Sequence, residues 1–169
     1  MGIKDLKTIL KTALVFLILA LVLRHGVFTF YVVEGSSMSP TLHQGERVAV
    51  NKLVYRLRAP QCGDVIVFRN PAGDNRVFVK RIIALAGDRV AINQGVVLVN
   101  GVPLEEDYIK ASAWDHLDEV VVGPASVFVL GDNRSPGGSL DSRGFGPIAI
   151  SSIVGRTDFV LFPRPHRLD

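Results

Sequence analysis

The longest apolar run of the chain lies near its N-terminus, at residues 12–23. Apolar positions continue upstream past Lys7 and Lys11, and the run ends at Arg24-His25-Gly26. A helix needs about 20 mostly apolar residues to cross a bilayer, and the long stems of lysines can reach back to the interface. The pattern therefore predicts one transmembrane helix within residues 1–26.

Basic residues predict the orientation of this helix. Lys4, Lys7 and Lys11 precede the run, and basic flanks stay on the cytoplasmic side of a membrane. We expect a single-pass protein of the plasma membrane, with a cytoplasmic N-terminus and residues 27–169 outside. A removable signal peptide and a buried globular helix are the alternatives, although the segment lacks the small-x-small site that signal removal needs.

After Gly26 the pattern changes from helical to strand-like. Short apolar or alternating runs, separated by clusters of Gly, Pro and Asn, are typical of β-strands. The predicted strands are residues 27–33, 47–55, 64–69, 76–85, 96–100, 119–122, 126–130 and 153–162. Asn100-Gly101 predicts a tight hairpin, because both central residues of such a turn need positive φ.

The sequence thus predicts one mainly β domain at residues 27–169, built of small antiparallel sheets or a partly open barrel. Residues 163–169 read as a frayed terminus. At 169 residues with 48% hydrophobic residues, the chain has room for one such domain and an anchor. We expect it to be monomeric.

Composition excludes several functions. The net charge is +3, but basic residues are scattered without an arginine-rich run, which argues against nucleic-acid binding. The single Cys62 allows no intrachain disulfide. Neither a His-Glu-x-x-His motif nor a phosphate-binding glycine loop is present, so we expect no metal and no cofactor.

The chemistry centres on Ser37, which follows the first predicted strand, and on Lys80 within a later one. A serine nucleophile needs a general base. A lysine serves only when neutral, which requires burial to lower its pKa by roughly 2 to 3 units. Strand alternation puts Lys80 on one face with Phe78 and Ile82, which favours desolvation. A turn serine and a lysine at a strand edge are the alternatives on periodicity alone.

Four motifs occur in order along the chain: GSSMSPTL at 35–42, GDVIVF at 63–68, KRIIALAGD at 80–88, and GDNR followed by SLDSRGFG within 131–146. Together with the N-terminal run they resemble the bacterial type I signal peptidases, which are membrane-bound serine endopeptidases of the Ser/Lys type. The pattern is closest to single-anchor members of Gram-positive type.

The resemblance implies that Ser37 attacks the scissile carbonyl, with Lys80 as general base and the Ser37 backbone N–H as oxyanion donor. Some members have a serine as second donor two positions before the nucleophile, where this chain has Gly35. Ser139 matches the serine that orients the lysine amine, and Asp141 matches the acid that supports its loop.

The resemblance also implies two supporting ion pairs, Arg81 with Asp132 and Asp141 with Arg143, whose alternative is an ordinary surface pair. The chain departs from the family in one place. Residues 135–138 lengthen the loop before Ser139 by two residues, and their glycines are suited to bulging outward.

The family removes signal peptides from exported preproteins and cleaves after small residues, as in Ala-x-Ala. The expected partners are therefore preprotein signal peptides and the lipid bilayer. An extended substrate could add to the strands that carry Ser37 and Lys80. The resemblance places these residues around the substrate pockets, with core packing as the alternative for each: Tyr31, Val33, Met38, Leu42, Val48, Phe78 and Val79.

Three other functions are alternatives to this one. A Ser/His/Asp hydrolase could draw on His25, His43, His116 or His166, but the chain has no Gly-x-Ser-x-Gly elbow. A self-cleaving repressor of the SOS-response type would carry a helix-turn-helix in place of the apolar run. An anchored scaffold with an inactive peptidase fold would have no use for a buried lysine.

Overall fold

The computed structural model describes residues 3–74, 76–110 and 116–168. It begins with helix α1, Ile3–Gly26, which a single residue joins to the first strand. Residues 3–26 are therefore helical. Among the described residues, none of the helices combines the length and the apolar composition needed to span a bilayer.

The remainder of the described chain is mainly β, as predicted. The strands are β1 (Phe28–Val32), β2 (Arg47–Asn51), β3 (Val65–Arg69), β4 (Val77–Leu85), β5 (Arg89–Asn93), β6 (Val96–Val99), β7 (Val102–Pro103), β8 (Leu117–Val121), β9 (Ser126–Leu130), β10 (Ile148–Ala149), β11 (Ile153–Phe162) and β12 (His166–Arg167). Short helices are α2 (Val54–Leu57), α3 (Ser142–Phe145) and a 3₁₀ turn at Ile150–Ser152.

The strands form two antiparallel sheets. The large sheet has the order β1-β2-β11-β3-β4-β9-β10, with β12 added to β11, and the small sheet has the order β7-β6-β5-β8. Irregular register steps interrupt the pairing of β11 with β2 and β3 and of β4 with β9. Such steps bend strands and increase sheet twist, which allows one sheet to enclose a core.

Apolar residues of the large sheet fill cores on both of its faces. Val65 and Val67 of β3 pack in one core with Met38, Leu42 and others. The alternate residues Ile66 and Phe68 pack in a second core. A third core lies between the small sheet and the neighbouring strands of the large sheet. Strand β3 is therefore buried on both faces, which explains its continuous apolar sequence.

Three predictions about local structure were wrong. The strand expected at 47–55 ends at Asn51, because the Asn51 side chain accepts a hydrogen bond from Leu53 N (2.9 Å) and α2 follows. Strand β5 was not predicted. The tail is not frayed, because β12 pairs with β11 and Leu168 packs against an apolar core.

The Asn100-Gly101 hairpin is confirmed. Val99 pairs with Val102 across the two-residue turn. Asn100 has φ 55° and Gly101 has φ 78°, so both adopt the left-handed conformation that this turn requires. The turn closes the edge of the small sheet, from which residues 104–110 leave toward the large sheet.

Candidate active site

Ser37 lies in a tight turn that begins where β1 ends. Gly35 has φ 80°, a conformation open to glycine at little cost, and the chain then turns so that Leu42 N donates to Met38 O (2.8 Å). Met38 and Leu42 are 1% and 0% exposed. These two side chains fix the turn to the core, and they do not line the open cleft that their predicted role in substrate pockets requires.

Lys80 reaches the Ser37 hydroxyl from β4. Its Nζ donates to Ser37 Oγ at 2.6 Å and to the carbonyl oxygen of Val79 at 2.9 Å. The lysine is 3% exposed, and the Phe78 ring lies 5.6 Å from Nζ. The structure thus brings the predicted nucleophile and base into direct contact in an environment with little water.

Burial lowers the pKa of Lys80 to about 8, against the pull of the Asp141 and Asp132 carboxylates, which raise it, and with a smaller lowering by Arg143. A lysine in water has a pKa near 10.5. With a pKa of about 8, roughly one Lys80 in ten is neutral at pH 7. A neutral amine within hydrogen-bond distance of a hydroxyl can take its proton.

The loop that carries Ser139 packs directly against the nucleophile. Asn133 N donates to the carbonyl oxygen of Ser37 (3.0 Å), and Asn133 Nδ2 donates to that of Ser36 (3.1 Å). A Cβ added to Gly131 would collide with Ser37 O and with Ser139 Oγ. Glycine at this position therefore permits the close approach of the loop to the catalytic turn.

The expected hydrogen bond from Ser139 to the lysine amine is not formed. Within the described part of the chain, Ser139 Oγ is buried without a hydrogen-bond partner. It lies close enough to the Asp141 carboxylate to help lower the pKa of that group. A buried hydroxyl without a partner beside the nucleophile is a group that a bound substrate or water could satisfy.

The longer loop bulges into solvent. Ser135, Pro136 and Gly137 are exposed, and Gly138 N closes a turn by donating to Ser135 O (2.8 Å). Gly138 packs against the Asn133 side chain, where a Cβ would collide with it. The extra residues therefore leave the contacts of Asn133 with the nucleophile turn intact.

Arg81 and Asp132 form a buried bidentate ion pair. Arg81 Nε donates to Oδ1 at 3.1 Å and its terminal nitrogen to Oδ2 at 2.8 Å, with both side chains at most 3% exposed. Thr41 Oγ1 donates to the same carboxylate at 2.5 Å. This contact joins the nucleophile turn to β4, and sequence reasoning missed it.

Asp141 supports the loop from the other side. Its carboxylate accepts from the Arg143 guanidinium twice (2.8 Å each), from Gly131 N (3.0 Å) and from Arg143 N at the start of α3. Burial by itself raises the pKa of Asp141, but the hydrogen bonds and the charge of Arg143 outweigh burial and hold that pKa below its usual range. The carboxylate therefore stays ionised.

A cleft of about 540 Å³ lies beside the two candidate catalytic residues. Five of the seven predicted pocket residues line it together with Ser37 and Lys80: Tyr31, Val33, Val48, Phe78 and Val79. Sequence reasoning missed further lining residues in or beside β1 and β4, which their position next to predicted ones could have suggested: Phe30, Val32, Glu34, Arg76 and Val77. It also missed Val67 of β3, which pairs with Val79.

The cleft has an unpaired strand edge on either side. In the described structure β1 pairs with β2 alone. Residues 77–80 of β4 pair with β3, whereas pairing of β4 with β9 starts only at Arg81. Two strand edges with free N–H and C=O groups thus border the cleft, and such edges accept an added strand.

The histidine side chains that the structure describes lie away from this site. Of the histidines whose side chains are described, His43, His116 and His166 are exposed and none lines the cleft. Among the described residues, no group of three His, Cys, Asp or Glu side chains could hold a metal ion.

Comparison with known proteins identifies the family of this chain. A family model for signal peptidases of the peptidase S26 type matches residues 6–162. The chain is 40% identical over 157 residues to probable signal peptidase I-1 of Synechocystis, covering 89% of this chain and 79% of the relative. It is 42% identical over 155 residues to signal peptidase I of Bacillus caldolyticus, covering 83% of each.

These matches first define the class of the protein as a serine endopeptidase. More narrowly, the chain belongs to the bacterial type I signal peptidases of the peptidase S26 family. A crystal structure of a signal peptidase I from Enterococcus faecalis aligns with a TM-score of 0.48 at 30% identity, covering 59% of this chain and 97% of that one.

Proposed function

We propose that this protein removes N-terminal signal peptides from exported preproteins, with Ser37 as nucleophile and Lys80 as general base. One observation carries the assignment: the 2.6 Å contact between Lys80 Nζ and Ser37 Oγ at a lysine that is 3% exposed. Buried lysines need a reason, because burial of an ammonium is unfavourable. Activating a serine hydroxyl is such a reason.

Neutral Lys80 takes the Ser37 proton as Oγ attacks the scissile carbonyl. The ammonium then gives that proton to the leaving amine, and after acylation the neutral amine activates a water that releases the new C-terminus. The Ser37 backbone N–H donates to the developing oxyanion, and one such donor contributes roughly 2.7 to 4 kcal/mol in related enzymes. The ion pairs Arg81–Asp132 and Asp141–Arg143 hold these groups in place, and the Ser139 hydroxyl beside them is available to bound substrate or water.

The substrate binds as an extended strand between the free edges of β1 and β4. In a strand, residues two apart share a face. The substrate residues one and three positions before the scissile bond therefore both point toward the cleft floor. Apolar side chains of moderate or large size, Tyr31, Val33, Phe78 and Val48, line that space. These side chains narrow the cleft at both positions, and we expect them to favour small residues there, as in Ala-x-Ala.

The anchor is part of the proposal. Helix α1 has 24 residues and a length of about 36 Å. Large apolar side chains are exposed along it, among them Leu10, Val15 and Phe16 at 61–66% exposure. We expect residues 1–26 to hold a monomeric enzyme in the plasma membrane with residues 27–169 outside. A preprotein in the same bilayer then meets the cleft at a raised effective concentration.

Cleavage of a preprotein with an Ala-x-Ala site, in detergent, tests the proposal. Ser37→Ala and Lys80→Met should each abolish cleavage while leaving the circular dichroism spectrum unchanged. Ser126→Ala and Lys52→Met, which alter a serine and a lysine outside the cleft, should retain activity. Cleavage that survives Ser37→Ala or Lys80→Met at the wild-type rate would disprove the dyad.

A further inference from the structure

A segment between the two sheets contacts the ion pair behind the active site. We name residues 104–110 the bridging segment. It starts at the small sheet, where Leu104 N donates to Val97 O (2.9 Å). Two of its side chains, Glu106 and Tyr108, reach charged residues of the large-sheet core. Neither residue belongs to any of the motifs that carry the catalytic chemistry.

Glu106 binds Arg134 in a buried bidentate pair. Both terminal nitrogens of the Arg134 guanidinium donate to the Glu106 carboxylate, one of them at 2.7 Å. Arg134 is 0% exposed and Glu106 is 6% exposed at their side chains. The third donor, Arg134 Nε, binds the carbonyl oxygen of Gly131 at 2.8 Å. The pair therefore ties the bridging segment to the backbone of the loop that contacts Ser37.

Tyr108 contacts the second buried guanidinium. The Arg81 guanidinium carbon lies 3.9 Å from the centre of the Tyr108 ring, which is a close cation–π contact. The Tyr108 hydroxyl donates to Glu106 at 2.6 Å. Burial, and then the Glu106 carboxylate, raise the pKa of Tyr108, so the hydroxyl keeps its proton. One ring thereby connects Arg81 with the Glu106–Arg134 pair.

The contact of Tyr108 leads to Lys80 through one residue, Arg81, which is the immediate neighbour of Lys80 on β4. The contact of Glu106 leads to Ser37 through two residues, Arg134 and Gly131. Gly131 packs against Ser37 O so closely that no Cβ fits between them. Glu106 and Tyr108 are thus linked to the positions of Ser37 and Lys80.

We propose that Glu106 and Tyr108 are positioning residues, which hold Lys80 and Ser37 in register by fixing Arg81 and Arg134. The proposal rests on the proposed function. Removing Glu106 leaves Arg134 as a buried cation without a carboxylate partner among the described residues, so that its side chain must move toward water. Gly131 O then loses its donor, and the loop releases Ser37. Neither residue lines the cleft, so substrate affinity is unaffected.

Steady-state kinetics of the full-length enzyme on a preprotein test this. Glu106→Gln should lower kcat roughly tenfold or more and leave KM within about twofold, because small misplacements of reacting groups lower rates steeply. Tyr108→Phe, which keeps every charge and the ring, should lower kcat about threefold or more. Glu119→Gln is the matched control, since Glu119 pairs with Arg89 on the exposed surface of the small sheet and should change neither constant.

A double variant separates positioning from stability. Glu106→Met with Arg134→Met replaces the buried pair by apolar side chains, which can regain thermal stability. We expect it to keep the low kcat, because Gly131 O still lacks its donor. Wild-type kcat in this double variant, or in Glu106→Gln and Tyr108→Phe, would overturn the proposal. If Glu106→Gln does not fold, Tyr108→Phe and the double variant decide. Failure of the wild type to cleave would instead disprove the proposed function.

Discussion

The backbone N–H of Asn133 donates to the carbonyl oxygen of Ser37 across 3.0 Å. The nucleophile is therefore held by the backbone of a loop as well as by its own turn. That loop also carries Asp141, whose carboxylate binds Gly131 N at 3.0 Å. The geometry of Ser37 depends on how closely Gly131 can approach it.

Gly131→Ala should strongly impair the enzyme. The added Cβ would collide with Ser37 O and lie 2.7 Å from Ser139 Cβ. Because backbone cannot yield as a flexible side chain does, we expect a loss of activity of roughly a hundredfold and destabilisation of about 1 to 3 kcal/mol. Kinetics and thermal unfolding measure both.

Gly123→Ala is the matched control for that substitution. No atom of the described residues lies within 4 Å of a Cβ at Gly123, and its φ is not in the left-handed region. Activity and stability should stay close to those of the wild type, within about 0.5 kcal/mol. Equal losses in both variants would show that close packing at Gly131 is not the cause.

Activity should rise with pH through about 8, the pKa of Lys80. Only the neutral amine accepts the serine proton, so kcat/KM should climb about tenfold per pH unit below that value and level off above it. A pH profile on a peptide substrate checks this. Glu119→Gln, remote and exposed, should leave the midpoint unchanged. A profile that levels off near pH 6 would point to a different base.

Lys80→Met should be inactive but more stable than the wild type at pH 7. The pKa of Lys80 falls from 10.5 to about 8 on burial, so its charged form opposes folding by about 3 kcal/mol below pH 8. The substitution also removes the two hydrogen bonds of Lys80, and the loss of each offsets about 1 kcal/mol of this gain in stability. We expect a net gain of about 1 kcal/mol.

The gain in stability of Lys80→Met over the wild type should depend on pH, and this dependence tests its cause. Between pH 8 and 10.5 the unfolded chain binds more protons than the folded enzyme does, so wild-type stability rises with pH in this window. The stability advantage of Lys80→Met over the wild type should therefore vanish within this pH window. Chemical denaturation at pH 7 and pH 10 measures it, and a pH-independent difference would contradict burial as the cause of the lowered pKa.

Thr41→Val and Thr157→Val should have opposite effects. Thr41 Oγ1 donates to the buried Asp132 carboxylate, and loss of a hydrogen bond to a charged group costs about 1.5 to 3 kcal/mol. Thr157 is 1% exposed, and its hydroxyl has no partner in the described structure. Valine there should be neutral or stabilising. Equal destabilisation in a denaturant titration would contradict the role of Thr41.

Local features of the sequence predicted local structure well. Asn100-Gly101 determined a turn because only a few residues tolerate positive φ, and alternating or continuous apolar runs marked most strands. Strand β5 was missed because only Val90 and Ile92 of its five residues are buried, which is too short a pattern to stand out. The ordered tail was not predicted, because Leu168 packs against a core whose residues lie far away in the sequence.

The site residues that belong to a sequence motif could be predicted from the sequence. Ser37 and Lys80 were found from their segments, but the core positions of Met38 and Leu42 were not, because apolar residues suit a pocket and a core equally. Glu106 and Tyr108 belong to no motif, and the partner of Glu106 lies 28 residues away. A carboxylate that pairs over such a distance looks like any surface acid in the sequence.

The contact between Ser37 and Lys80 spans 43 residues, and the one between Thr41 and Asp132 spans 91. Contacts of such sequence separation form late in folding, because long loops must close first. A chain still emerging from synthesis therefore lacks the Thr41–Asp132 contact until residue 132 has been made, and the surroundings of Ser37 are complete only after most of the domain exists.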